Sequence, residues 1–100
     1  MTKTVDIEAS VTAFGSIFSV LLELEGHEID LHKDSNGDLV AELPQFVIED
    51  NVNVFFQCKG INGAYCRLTI NAKMLPKPVT AKRKVVVDKG VGRTELELTV

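Results

Sequence analysis

The sequence contains no tryptophan, one tyrosine, two cysteines, two histidines and three prolines in 100 residues. Two histidines, with no serine or cysteine at a readable nucleophile–base spacing, leave no catalytic set. Cys58 and Cys66 stand in a C-x7-C arrangement, which is no redox motif. Without a matching histidine pair they are also too few for a zinc site. No apolar run approaches the ~18 residues of a membrane span. The first residues, MTKTVDIEAS, lack the apolar stretch of a signal peptide, and no Asn-x-Ser/Thr acceptor occurs. A cytoplasmic protein with no membrane span is therefore expected. A net charge of −3 argues against nucleic acid as the partner of the chain as a whole.

What is present is alternation. Residues 51–73 read NVNVFFQCKGINGAYCRLTINAK. In the first arm Val52, Val54, Phe56 and Cys58 share a face, and in the second Ala64, Cys66, Leu68 and Ile70 do. A period of two with one apolar side marks a half-buried strand. Joining the arms through a three-residue loop, Ile61-Asn62-Gly63, keeps both apolar sets on one side and gives Gly63 the left-handed position such loops need. The reading pairs Gly60 with Ala64, Cys58 with Cys66, Phe56 with Leu68 and Val54 with Ile70. Outside, Gln57 faces Arg67 and Phe55 faces Thr69. The cysteines become cross-strand neighbours, two small buried hydrophobes or a bridge.

The rest of the chain alternates as well. Lys3 to Ala13 is a long amphipathic strand, with Val5, Ile7, Ala9, Val11 and Ala13 alternating with Thr4, Asp6, Glu8, Ser10 and Thr12. Residues 16–24 are apolar on both sides, with Phe18, Val20, Leu22 and Leu24 on one face and Ile17 and Leu21 on the other. This is a central strand rather than a helix, because Gly26 cuts it short. Glu25-Gly26 makes a two-residue turn into His27–Lys33, pairing Leu24 with His27, Leu22 with Ile29 and Val20 with Leu31. Ser35-Asn36-Gly37 is a second three-residue loop, leading to Asp38–Leu43. Pro44, with no N–H to donate, stops that ladder. Phe46-Val47-Ile48 is a short edge segment. Residues 74–81, MLPKPVTA, read as an extended crossing from one sheet to another. Residues 82–88 and 93–100 are the last strands.

Eight or so short strands without a long helix predict an all-β domain spanning residues 1–100. The architecture resembles a small antiparallel, immunoglobulin-like β-sandwich, although the Cys…Trp…Cys core of antibody domains is missing. An up-and-down β-barrel is the alternative, because most connections look like hairpins.

Charge divides the chain. Residues 1–50 hold two Lys against eleven Asp and Glu, a balance of −9; residues 51–100 hold nine Lys and Arg against three acids, a balance of +6. Either the two halves neutralise one another across a sheet, or the molecule is polar enough to steer a partner or stack head to tail. Lys77, Lys82, Arg83, Lys84 and Lys89 form the basic cluster, with Arg93 nearby. Lys82-Arg83-Lys84 also suits an edge strand that resists aggregation. Asp34-Ser35-Asn36-Gly37-Asp38 imitates the start of a calcium loop, but Leu39 and Gln45 stand where Gly and Glu are required. Glu28, Asp30 and His32 fall on one outward strand face, where a solvated surface or a metal set are the readings. Gly90-Val91-Gly92 lacks the strand–helix context of a phosphate loop.

Phe55 and Tyr65 are aromatics on the non-core side; either they are exposed, where rings favour binding, or the 74–81 crossing covers them. The expectation is a non-catalytic module, without cofactor or metal, that meets another protein or a carbohydrate through Phe55, Tyr65, Arg67, Lys82, Arg83 and Lys84. A barrel carrying an apolar ligand or an active site is the second reading, and a head-to-tail structural subunit the third.

Overall fold

A computed structural model describes residues 3–49, 51–73 and 78–99. Among these residues nine strands form two antiparallel sheets. They are β1 (Lys3–Phe14), β2 (Ile17–Leu24), β3 (His27–Glu28), β4 (His32–Lys33), β5 (Leu39–Ile48), β6 (Asn51–Gly60), β7 (Tyr65–Lys73), β8 (Val79–Val86) and β9 (Val91–Thr99). Sheet A has the order β4-β5-β1-β7-β8, and sheet B the order β3-β2-β6-β9. Both sheets have open edges, so the sandwich stands and the closed barrel does not. No helix among the described residues is long and apolar enough to cross a membrane.

The core is the sum of the inward faces that alternation marks out. Val5, Ile7, Ala9, Val11, Cys66, Leu68, Ile70 and Ala72 of sheet A are buried. Leu22, Leu24, Val52, Val54, Phe56, Cys58 and Leu98 of sheet B are buried too. Stacking two apolar faces in this way removes both from water, which a single sheet cannot do.

The pairing differs from the one read off the sequence. β6 and β7 do not form a hairpin: β6 lies between β2 and β9, and β7 between β1 and β8. Cys58 opposes Val20 and Gly92, and Cys66 opposes Ala13 and Val85. The cysteines meet across the sandwich instead of across a ladder. Residues 27–33 likewise split. Leu24 pairs with His27, and the Ile29 N–H donates to the Leu22 carbonyl at 2.9 Å as expected. The chain then leaves sheet B, and His32 pairs with Val40 in sheet A, so Val20 never meets Leu31. The 74–81 segment carries no sheet-to-sheet passage, since β7 and β8 pair with each other; the extended course expected of residues 74–77 lies outside the described residues.

Two irregularities correct the strand reading. Pro44 does not end β5. The register slips between Val5 and Ile7, which oppose Phe46 and Leu43, so Pro44 and Gln45 sit together in a bulge. A bulge is where a residue without an N–H is tolerated, and Gln45 there takes a φ of 55° and donates its N–H to Asp6 Oδ1. In β2, Ile17 opposes Gly60 and Ser19 opposes Lys59, leaving Phe18 as the extra residue. The slip moves Phe18 off the core face, and it is 71% exposed.

Candidate functional site

Strand directions give the sandwich two ends. The β1–β2, β4–β5, β6–β7 and β8–β9 connections lie at one, and the β2–β3, β5–β6 and β7–β8 connections at the other. Three connections at the first end are stitched together. Ile61 N–H donates to the Ser16 carbonyl (3.0 Å), Gly63 N–H to Val87 O (3.1 Å), and Gly60 N–H to Gly90 O (3.2 Å). Asn62 Oδ1 accepts from Gly90 N–H at 2.9 Å. The β1–β2 link also passes so close that a Cβ at Gly60 would meet the Ser16 carbonyl oxygen.

This framework holds an aromatic and basic surface. Register places Phe14, Tyr65 and Val86 in one row on the outer face of sheet A, with Thr12, Arg67 and Lys84 in the next. The Phe14 and Tyr65 rings stack with centroids 4.7 Å apart and planes 13° from parallel. The Arg67 guanidinium carbon lies 5.2 Å from the Phe14 ring centre, and Lys84 Nζ 4.5 Å from that of Tyr65. Such cation–π contacts hold rings and cations in one orientation. Lys82 continues the row below, opposite Thr69, and a cleft of about 430 Å³ runs between Thr12, Arg67, Thr69 and Lys82. Four of the exposed large hydrophobic residues belong to this end: Phe14, Phe18, Ile61 and Val86. On sheet B, Lys59 and Arg93 face outward at the same end, in the rows of Val91 and Gln57.

Of the residues expected to bind, Tyr65, Arg67, Lys82 and Lys84 thus come together. Arg83 shares the register parity of Val85 on the edge strand β8, yet it is exposed, lines the same cleft, and its Nη1 donates to the Lys82 carbonyl at 2.9 Å. A charge on an edge strand is a device against edge pairing. Phe55 is outward, as alternation implies, but outward from sheet B and towards the other end. It lies between Glu23 and Glu95, not opposite Thr69. Lys77 is outside the described residues. The sequence reading missed Phe14, Phe18, Ile61 and Val86. Phe14 shares the outward parity of Thr12 and Ser10, a signal that was there to use; nothing in the composition around Phe18 announces the bulge.

The opposite end is acidic. Glu23, Phe55 and Glu95 form one row, with Glu28 beside Glu23, and Asn53 and Glu97 form the next. A cleft of about 520 Å³ is lined by Glu23, Asn53, Phe55, Glu95 and Glu97. A second, of about 510 Å³, lies between Glu25, Val47, Glu49 and Glu97. Val47 in that cleft is 61% exposed. Charges do neutralise locally in sheet A, where Lys73 Nζ bridges Glu8 at 2.6 Å. That carboxylate pushes the Lys73 pKa up.

The other chemistry-bearing groups are accounted for in place. Asp34 Oδ1 accepts from the N–H groups of Asn36 (2.9 Å) and Asp38 (3.0 Å), so it closes its own turn. Glu28 and His32 lie in different sheets and share no strand face with Asp30. Among the described residues no three His, Cys, Asp or Glu side chains converge as metal ligands do. Burial pushes the Cys66 thiol up to about 12, reinforced by the neighbouring Cys58, and raises Cys58 as well. A thiol so raised is not a thiolate nucleophile at neutral pH. No protein-family model, curated protein or solved structure matches the chain.

Proposed function

We propose that this is a non-catalytic protein-interaction module that docks an acidic protein surface on its aromatic and basic end. One observation carries the reading: the stacked Phe14–Tyr65 pair, held between Arg67 and Lys84 on the outer face of sheet A. Exposed aromatic and guanidinium groups fixed by their surroundings are the kind of anchors from which interface energy comes. Cations around them attract acidic partners and repel basic ones.

A protein fits this surface better than a carbohydrate. A sugar-stacking site offers a free ring face, whereas these two rings face one another and carry cations at their flanks. The barrel-based reading, an apolar ligand or an active site in the barrel mouth, loses its premise with the open sheets. We read the sandwich as immunoglobulin-like in the architectural sense, with the binding elements at one end of two packed sheets.

The test is a titration of isotope-labelled protein with a panel of Glu-rich peptides, followed by amide NMR shifts. Shifts confined to residues 12–18, 61–67 and 84–91 are expected, and the Phe14→Ser/Tyr65→Ser variant should lose them while remaining folded, with a melting temperature lowered by the lost ring stacking. Shifts centred on the Phe55 face, or none with any acidic peptide, overturn the reading.

A further inference from the structure

We infer that the acidic partner is a second copy of this chain: the aromatic, basic end of one molecule docks on the acidic end of the next. This rests on the reading above and adds to it the identity of the partner.

The two ends complement one another in charge. Arg67, Lys82, Lys84, Lys59 and Arg93 gather towards the first, outnumbering Asp34, Asp38 and Asp88 of its loops, while Glu23, Glu28, Glu95 and Glu97 gather towards the second, where Lys3 and the Glu8-bridged Lys73 also lie. They also complement one another in shape. The first end projects Ile61, 57% exposed, at the tip of its turn, and Phe18 beside it. The second end carries the two acidic clefts, with the apolar side chains of Val47 and Phe55 in their linings. A carboxylate-rimmed cleft with an apolar wall suits an apolar knuckle ringed by cations.

The two patches are different surfaces at opposite ends of one body, so the contact is heterologous. Heterologous contacts propagate unless a rotation closes them into a ring. One patch lies on the outer side of sheet A and the other on that of sheet B, so docking through them gives an open string unless a rotation closes it.

Sedimentation velocity of the whole chain tests this, at up to about 1 mM protein. Salt is set at about 10 mM, where charges act over about 30 Å, and at about 150 mM, where they act over about 8 Å. Open-ended association that grows with concentration and weakens in the higher salt is expected. Lys59→Glu/Lys84→Glu reverses one end, and Glu95→Lys/Glu97→Lys reverses the other; all four side chains are exposed, so the fold should stand. Each variant alone should associate at least about tenfold more weakly than the native chain, and an equimolar mixture should recover association.

A native chain that stays monomeric in low salt overturns the inference. So does a closed dimer insensitive to salt, association unchanged in both variants, or a mixture that fails to recover. The peptide titration separates the two readings. Acidic peptides that still bind the aromatic end of a monomeric chain leave the docking surface standing and remove only the self-partner; peptides that fail as well remove both.

Discussion

Ser35-Asn36-Gly37 and Ile61-Asn62-Gly63 carry the same turn signal and end in different structures. At the first, Asp34 N–H donates to Asp38 O at 2.8 Å and Gly37 N–H to Asp34 O at 3.2 Å, so the loop closes a hairpin between β4 and β5 within sheet A. At the second, the hydrogen bonds are shifted by one residue. Ala64 N–H donates to Ile61 O at 3.0 Å, and Gly63 N–H leaves the turn for Val87 O. The flanking strands then enter different sheets. Both glycines keep a left-handed φ, 84° at Gly37 and 92° at Gly63. A turn sequence specifies that the chain reverses; it does not specify what the strands on either side bond to. Along β6 and β7 those bonds are taken by β2, β9, β1 and β8, and one turn cannot outweigh four ladders.

The largest way to break the second turn without touching it is Gly60→Ala. The new Cβ has to displace the Ser16 carbonyl, which is backbone and cannot swing aside. A loss of about 2–3 kcal/mol is expected from chemical denaturation, at the upper range for overpacking. A loss below about 0.5 kcal/mol would mean that the β1–β2 link does not press on β6. Gly37→Ala and Gly63→Ala should cost alike, about 1–2 kcal/mol each, because each puts a Cβ into left-handed backbone whatever strands follow. Only the second should also disturb the amides of Phe14 and Tyr65, since its turn is bonded to the connections beneath them.

Asparagine separates the turns further. Asn62→Ala removes the acceptor that Gly90 N–H uses and should cost about 1 kcal/mol. Asn36 contributes its backbone N–H to Asp34, so Asn36→Ala should stay within about 0.5 kcal/mol of the native chain.

The smallest effect at neutral pH concerns the thiols that flank the second turn. Their pKa values in the folded state lie above the ordinary 9.0, with Cys66 at about 12. At neutral pH both states hold the protons, and nothing is lost. Above pH 9 the unfolded thiols ionise first, so stability falls as pH rises from about 9 towards 12. Cys66→Ala should flatten that decline in denaturation midpoints measured against pH, and an unchanged slope would assign it to other groups.

Much of the fold was legible because alternation reports which side chains face inward. β1 was readable almost end to end, and residues 17–24 were recognisable as strand from the way their neighbours alternate. Phe55 and Tyr65 were both correctly outward. The misreading lay in assuming one common outside. Each belongs to a different sheet, so one ring sits among carboxylates and the other joins Phe14, Arg67 and Lys84. Bulges at Phe18 and at Pro44-Gln45 were hidden for a related reason. An extra residue in a ladder depends on the partner strand as much as on the strand that carries it.

By itself, the sequence determined the all-β class, the positions of most reversals, the inward sets Val5–Val11 and Val52–Ile70 and the unequal charge of the two halves. Side-chain polarity and turn chemistry are local properties, written residue by residue. Only the tertiary structure decided which strands share a sheet, that the cysteines meet across the core, and that the Arg67–Lys84 cluster and the Glu23–Glu95–Glu97 cluster lie towards opposite ends. Backbone N–H and C=O groups are the same at nearly every position, so a ladder carries no address. Partners are selected only when both apolar faces are buried against each other and the backbone groups between them are satisfied together.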